Sequence, residues 1–243
     1  MAFKREIDIK LFIPCFLDQC VPNVASAVAG LLNRLGVAWE YPQDQTCCGQ
    51  FAWTAGDAAT ARRLMRHFLR VFAGAETILC PSASCTYLVR QCYPQLAEDP
   101  RERRAIEALA ARILELGEWL NRLGALPWTP RYKGSLVLHQ SCKARQLGVL
   151  PQAREVLSRV EGLELLTISP YYTCCGFGGT FSFQHPDLSR EIGEAYLAAV
   201  RAAGAGGLVS LDYNCLLHLQ GLGVSPARHL KFYHLAEILT MTG

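Results

Sequence analysis

Two stretches carry the chemistry, "TCCGQ" at residues 46–50 and "TCCGFGGTFS" at 173–182. Each sets two cysteines side by side and follows them with glycine. The chain holds eleven cysteines, and eight of them fall into matched quartets: Cys15, Cys47, Cys48 and Cys85, then Cys142, Cys174, Cys175 and Cys215. Four thiolates gathered in one place repel, and burying them without a cation is prohibitively costly, so a metal must balance them. Two kinds of centre suit such a set, a four-cysteine zinc site and an iron–sulfur cluster. Zinc favours cysteines a few residues apart, because a tight turn then aims both sulfurs at one ion. Adjacent cysteines point their sulfurs apart, which a multi-iron cluster tolerates because neighbouring thiolates bind different irons. The pairs therefore favour a cluster, with zinc in one half as the alternative. Gly49, Gly176, Gly178 and Gly179 are the expected cradle. Glycine permits close backbone approach and positive φ, and amide N–H groups ahead of a helix favour anions. The plain reading of "GFGG" is a tight turn with no ligand.

The compartment follows from the same cysteines. Their number is odd, and the N-terminal "MAFKREIDIK" is too charged for a signal peptide, so a disulfide framework is the wrong reading. No apolar stretch approaches the ~18 residues that a membrane-spanning helix needs. A cytoplasmic chain is expected, with peripheral membrane association only through partners. Apolar residues make up 51% of the sequence, enough for a full core. The net charge is +3, and the densest basic stretch, "DPRERRAIEALAARILE", alternates signs as a solvated helix face does. Without a basic and aromatic stripe, nucleic acid is not an expected partner.

The elements that position these cysteines come in two copies. Cys15 and Cys47 are 32 positions apart, as are Cys142 and Cys174, and an offset of 127 carries one half onto the other. The same offset aligns Thr46, Cys48 and Gly49 with Thr173, Cys175 and Gly176. "ILELGEWL" at 113–120 parallels "FYHLAEIL" at 232–239. Each half reads as strand ("IDIKLFIPC", "GSLVLHQSC"), helix, strand ("VAWEY", "LELLTI"), CCG turn, helix, and strand ("ETILC", "GLVSLDYNC"), with "RHLKFYHL" as a last strand before a terminal helix. In the helix "DAATARRLMRHFLRVF", Leu64, Phe68, Leu69 and Phe72 recur at helical spacing. Strands alternating with helices imply an α/β fold: two pseudo-symmetric, Rossmann-like parallel-sheet halves from an internal duplication, spanning 1–127 and 128–243. Ligands of such sheets sit beyond the carboxyl ends of the strands, where the cysteines fall.

The pattern of one cysteine, then CCG, then a distal cysteine, twice in one chain, resembles the CCG cysteine-rich domain of heterodisulfide reductase. It is more similar to the iron–sulfur subunit of bacterial L-lactate utilisation, through "CCGFGGTFS", "PSASCTY", "HQSCKARQLGV" and "LELLT", and less so to the glycolate oxidase iron–sulfur subunit. The resemblance covers nearly the whole chain. It implies electron transfer from oxidation of lactate or a related 2-hydroxyacid, in company with partner subunits, through one or two iron–sulfur clusters held by the two quartets. In the heterodisulfide reductase relative a fifth cysteine, in a terminal C-x-x-C pair, helps hold a non-cubane cluster. Here that position is Ser82 in one half and Asp212 in the other. A 4Fe–4S centre therefore stands beside the non-cubane one, and Asp212 is expected at a surface or capping position, with weak ligation through its oxygen as the alternative.

Other residues are secondary candidates. Cys80 is a substitute fifth ligand or a core residue, and Cys20 and Cys92 are expected to be structural. His139, three residues before Cys142, is near enough to donate to a cluster sulfur or is a satisfied core histidine. His67, His185, His218, His229 and His234 show no ligand spacing. No G-x-G-x-x-G fingerprint appears, so neither flavin nor nicotinamide is expected on this chain. Two other functions stand behind electron transfer: reductive catalysis at the cluster, and a structural zinc module that assembles partner subunits.

Overall fold

The alternation of β-branched runs with Ala/Leu-rich segments resolves into two four-stranded sheets, every strand parallel to its neighbours. The structure, a computed structural model, describes residues 9–171, 173–222 and 230–242. Two compact units meet in sequence between Trp119 and Leu120.

The first unit runs β1 (Ile9–Leu11), α1 (Cys15–Cys20), α2 (Pro22–Arg34), β2 (Trp39–Glu40), α3 (Gln50–Thr54), α4 (Ala58–Val71), β3 (Thr77–Cys80) and α5 (Ala83–Tyr87). A π-helical turn at Leu88–Cys92 leads to α6 (Tyr93–Leu96), α7 (Pro100–Ala110), β4 (Ile113–Glu115) and α8 (Leu116–Leu123). The sheet order is β2-β1-β3-β4, with Ile9 opposite both Trp39 and Thr77.

The second unit contains β5 (Arg131–Leu138), α9 (Cys142–Leu147), α10 (Leu150–Leu157), β6 (Glu161–Leu166), α11 (Phe181–Gln184) and α12 (Pro186–Ala202). It continues with β7 (Gly207–Ser210), α13 (Tyr213–Gly221), β8 (Lys231–His234) and α14 (Leu235–Thr240). Its order, β6-β5-β7-β8, repeats the first. In both, the chain leaves the central strand to one side and returns on the other. The crevice at that reversal, between β1 and β3 or β5 and β7, is where a doubly wound sheet binds ligands.

Strand ends differ from the sequence expectation in one instructive way. "IDIKLFIPC" reads as one strand up to Cys15, but the ladder ends at Leu11, with a last bond from Phe12 N–H to the Leu79 carbonyl at 2.9 Å. Pro14, which has no N–H to offer, stops it and leads into α1 with Cys15 as the first helical residue. Ile7 and Asp8 of this segment, and Arg228 and His229 of the last strand segment, lie outside the described residues.

The first core gathers on Phe12, whose ring meets Phe68 edge-on at 4.9 Å and Phe72 at 5.6 Å. In α4 and at its C-terminal cap, Phe68 and Phe72 are buried as the periodicity predicts, whereas Leu64 and Leu69 are half-buried and Ala61 and Met65 take the inner positions. Each fully buried ring contributes on the order of 2 kcal/mol through area removed from water. The charged segment at 99–110 forms α7, with Ile106 and Leu109 turned inward. Its first turn is capped by Asp99, which accepts from the amides of Arg101 and Glu102 at 2.8 Å each. Asp99→Ala should lower unfolding free energy by about 1 kcal/mol, read as a lowered denaturation midpoint with unchanged slope. No helix among the described residues is long and apolar enough to cross a membrane.

Candidate metal centres

Three loops at the carboxyl edge of the first sheet present four thiols. Cys15 opens α1 after Pro14, the CCG turn follows β2, and Cys85 lies in the first turn of α5. Ser82 caps α5, its hydroxyl accepting from the Cys85 amide at 3.3 Å. Gly49, at φ 94°, turns the chain into α3 and donates its amide to Cys47 Sγ at 3.3 Å. Cys48 Sγ lies 3.2 Å from Cys85 Sγ. Thiol hydrogen bonds join Cys15 to Cys47 and Cys47 to Cys48. The four sulfurs thus form a row of neighbours whose inner end is buried in the core.

Charge collects on one member of that row. Hydrogen bonds from Cys15 and Cys48, then from the amides of Gly49 and Gln50, hold Cys47 well below the ordinary thiol range. Its bond to Cys47 and burial push Cys15 up, and bonds to Cys47 and Cys85 together with burial push Cys48 up. Beneath the row, fully buried Tyr93 donates to the Cys48 carbonyl at 2.7 Å. Tyr93→Phe removes that donor from a buried carbonyl. It should cost about 1–3 kcal/mol in chemical denaturation of the metal-free chain.

The second unit repeats the frame with other chemistry. Ser141 opens α9 ahead of Cys142, accepting from the Ala144 amide at 3.2 Å, and donates its hydroxyl to Asp212 Oδ2 at 2.5 Å. In the CCG turn, the Gly176 amide faces Cys174 Sγ at 3.4 Å and the Phe177 amide faces Cys175 Sγ at 3.5 Å. Gly178 and Gly179, at φ 56° and 66°, bend the chain into α11. The sulfurs of this turn are thus met by the amides of Gly176 and Phe177. Cys175 and Cys215 are buried and share a thiol hydrogen bond, whereas Cys142 and Cys174 are exposed. The bond from Cys215, aided by His139 and the Phe177 amide against the opposing effect of burial, holds Cys175 well below the ordinary thiol range. His139, Cys175 and Cys215 are all buried, and their ligand atoms lie within 4.8 Å of one another.

The remaining candidates separate cleanly. Cys80 is fully buried with its thiol toward the Ser82 carbonyl at 3.6 Å, and Cys92 is in the core. Cys20, expected to be structural, is exposed at the end of α1 because that helix turns its Leu17 face inward. Asp212 stands at the start of α13 but makes no capping bond. Only 1% exposed, it is neither a surface nor a capping group, because Ser141 draws its carboxylate toward α9. Of the two readings open for His139, the structure makes it the nitrogen neighbour of the buried sulfur pair. His218 bonds Ser189 at 3.2 Å, His67 bonds the Asp44 carbonyl at 2.6 Å, and His234 caps α14.

Both groups are soft donor sets, thiols met by backbone N–H groups in tight turns, and in the second the Asp212 carboxylate is held in a hydrogen bond of its own. Such donors fit thiophilic metals, and a low-pKa thiol at each centre provides the first anionic ligand. The pattern of the CCG cysteine-rich domain family matches residues 9–90 and again 136–220. Lactate utilization protein A of Bacillus subtilis (strain 168) is 33% identical over 234 residues, covering 95% of this chain and 98% of its own. Lactate utilization protein A 2 of Bacillus cereus (strain AH820) and lactate utilization protein A 1 of Bacillus anthracis (strain CDC 684 / NRRL 3495) are each 32% identical over 235 residues, covering 95% of this chain and 97% of theirs. With its pairs of adjacent cysteines at the same edge of two like sheets, the chain belongs to the CCG cysteine-rich domain family, carries the domain twice, and shares the family of lactate utilization protein A.

Proposed function

We propose that the chain is an electron-transfer subunit of a cytoplasmic system that oxidises L-lactate or a related 2-hydroxyacid. Each repeat, 1–127 and 128–243, holds one iron–sulfur centre, through Cys15, Cys47, Cys48 and Cys85 in the first and Cys142, Cys174, Cys175 and Cys215 in the second. The observation that carries this reading is the extended row of sulfurs in the first unit, with Cys48 and Cys85 at 3.2 Å and Cys15 linked through Cys47. Adjacent cysteines in such a row suit a centre with several metal atoms better than a single tetrahedral ion. The relatives named above support the metabolic setting. Companion subunits supply the substrate site and the acceptor.

The cluster, when bound, supplies one-electron redox chemistry. The chain's own part is to position the sulfurs, to aim the amides of Gly49, Gly176 and Phe177 at them, and to bury the inner ligands away from water. Purified without oxygen, the chain should be brown and contain about four irons and four acid-labile sulfides per cluster. A colourless preparation holding stoichiometric zinc would overturn the proposal and favour a structural assembly role.

One observation favours a second reading, catalysis at the cluster. A cleft of about 200 Å³ in the second unit is lined by Gln140, Arg145, Thr173 and Tyr196. Tyr196 also bonds His139, and burial raises the Cys174 thiol with Arg145 opposing it only weakly. A small anionic substrate would meet a cation there beside the second centre. If disulfide substrates change the cluster's EPR spectrum, this reading gains over simple electron transfer.

A further inference from the structure

The offset of 127 that superimposes Cys15 on Cys142 also superimposes Phe12 on His139. The two residues occupy the same structural place. In the first unit Phe12 meets Phe68 of α4 edge-on, ring centroids 4.9 Å apart at 90°. In the second, His139 meets Tyr196 of α12 at 5.0 Å and 88°. One aromatic pair has kept its geometry and changed its chemistry, from two hydrocarbon rings to an imidazole and a phenol.

A polar pair in a core position must be satisfied or it destabilises the fold. On the His139 side only one ring nitrogen has an oxygen or nitrogen partner. Nδ1 lies 2.8 Å from the Tyr196 hydroxyl, while Nε2, in a residue 1% exposed, has none among the described residues, and the ring's other interaction is with the Cys175 thiol. The imidazole sits with the sulfurs of Cys175 and Cys215, all three ligand atoms within 4.8 Å of one another. This is the arrangement of a metal-binding histidine. One ring nitrogen is held by a fixed partner, which sets the ring orientation, and with the proton on Nδ1, donated to the Tyr196 oxygen, the other keeps its lone pair for an ion.

We propose that His139 is a metal ligand of the second centre through Nε2, beside Cys175 and Cys215 and in place of one of the two exposed thiols, Cys142 or Cys174, so that the two halves hold unlike centres: sulfur-ligated in the first, mixed nitrogen and sulfur in the second. This rests on the reading that the chain binds iron–sulfur clusters. A thiol gives up its proton when it binds, but the neutral imidazole binds without losing one and brings no negative charge. The second centre is therefore less negative than an all-thiolate one and accepts an electron at a higher potential, as imidazole ligands do in other iron–sulfur centres. Within the chain, electrons would rest on the second centre.

The test uses the whole chain, loaded without oxygen with ferrous iron and sulfide, in natural-abundance form and with histidine labelled by 15N. In a redox titration followed by EPR, the signal that appears at the higher potential should show the strong 14N modulation of a directly bound nitrogen. Labelling should convert it to the 15N pattern. His139→Phe, which copies the residue of the first unit, should abolish the modulation and leave the lower-potential signal unchanged. His139→Cys should lower the upper potential towards that of the first centre. Clusters in both halves with no strong histidine coupling, or a coupling that survives His139→Phe, would overturn the inference while leaving electron transfer standing. A chain that takes up no iron would overturn both. The labelled unmodified chain decides the question even if the variants fold poorly.

Discussion

Cys175→Ala should remove about half of the iron bound by the anaerobically purified chain, and Cys48→Ala the other half, on the basis of one 4Fe–4S centre per repeat. The two residues are equivalent, each the second cysteine of a CCG turn, and each is buried against a distal cysteine of its own unit. Removing either thiol deletes the inner ligand of one centre and leaves a buried partner, Cys85 or Cys215, with no sulfur neighbour at that position. The other quartet lies in a separate compact unit and keeps every ligand. Each single variant should therefore retain one set of EPR signals, and the double variant none. The difference in stability should be as large. A centre occupied at a thousandfold excess over its dissociation constant stabilises its unit by about 4 kcal/mol, and that increment disappears with the ligand. Loss of all iron from either single variant would show that the two quartets serve one centre. Iron unchanged in both would show that these cysteines hold none.

Much of this arrangement is legible in the sequence alone. The repeat offset, the CCG turns and the order of strands are written in residue types that local chemistry constrains. The parallel sheets follow from strands alternating with helices. What escapes is either short or non-local. Helices of four to six residues, such as α3, α5 and α11, are too brief to show a period. The first strand reads too long because the apolar run continues through Phe12 and Ile13 after the ladder has ended. The role of Asp212 depends on Ser141, 71 residues away, and a carboxylate's partner at that distance leaves no trace in a linear pattern. His139 does carry a signal. Comparing the halves position by position sets it against Phe12, and a polar group where the sister repeat needs a hydrocarbon ring is a mark that spacing between ligands does not carry.

The same comparison sets up a second large effect, in the glycines that follow each cysteine pair. Gly49 and Gly176 hold the same place and nearly the same backbone, at φ 94° and 88°. An L side chain in that region costs roughly 1–2 kcal/mol. For Gly49 that is nearly the whole cost, since a Cβ there would meet nothing closer than the Leu64 side chain, at 3.4 Å. For Gly176 a Cβ would collide outright with the Ser189 carbonyl oxygen, on the backbone of α12. That carbonyl cannot step aside without bending the helix, and Ser189 is further tied by its hydroxyl to the Gly176 carbonyl at 2.8 Å. The turn would have to move instead, and with it the amides of Gly176 and Phe177 that face Cys174 and Cys175. Gly176→Ala should thus cost about 3 kcal/mol or more, lower the melting temperature of the second unit by about 10 °C, and strip metal from that unit alone. Gly49→Ala should fold with a small loss and keep its iron. Equal effects of the two substitutions, measured by calorimetry and metal content on the same preparations, would mean that α12 yields where its hydrogen bonding says it is fixed. The close packing of turn against helix would then not be what holds the second centre's sulfurs in place.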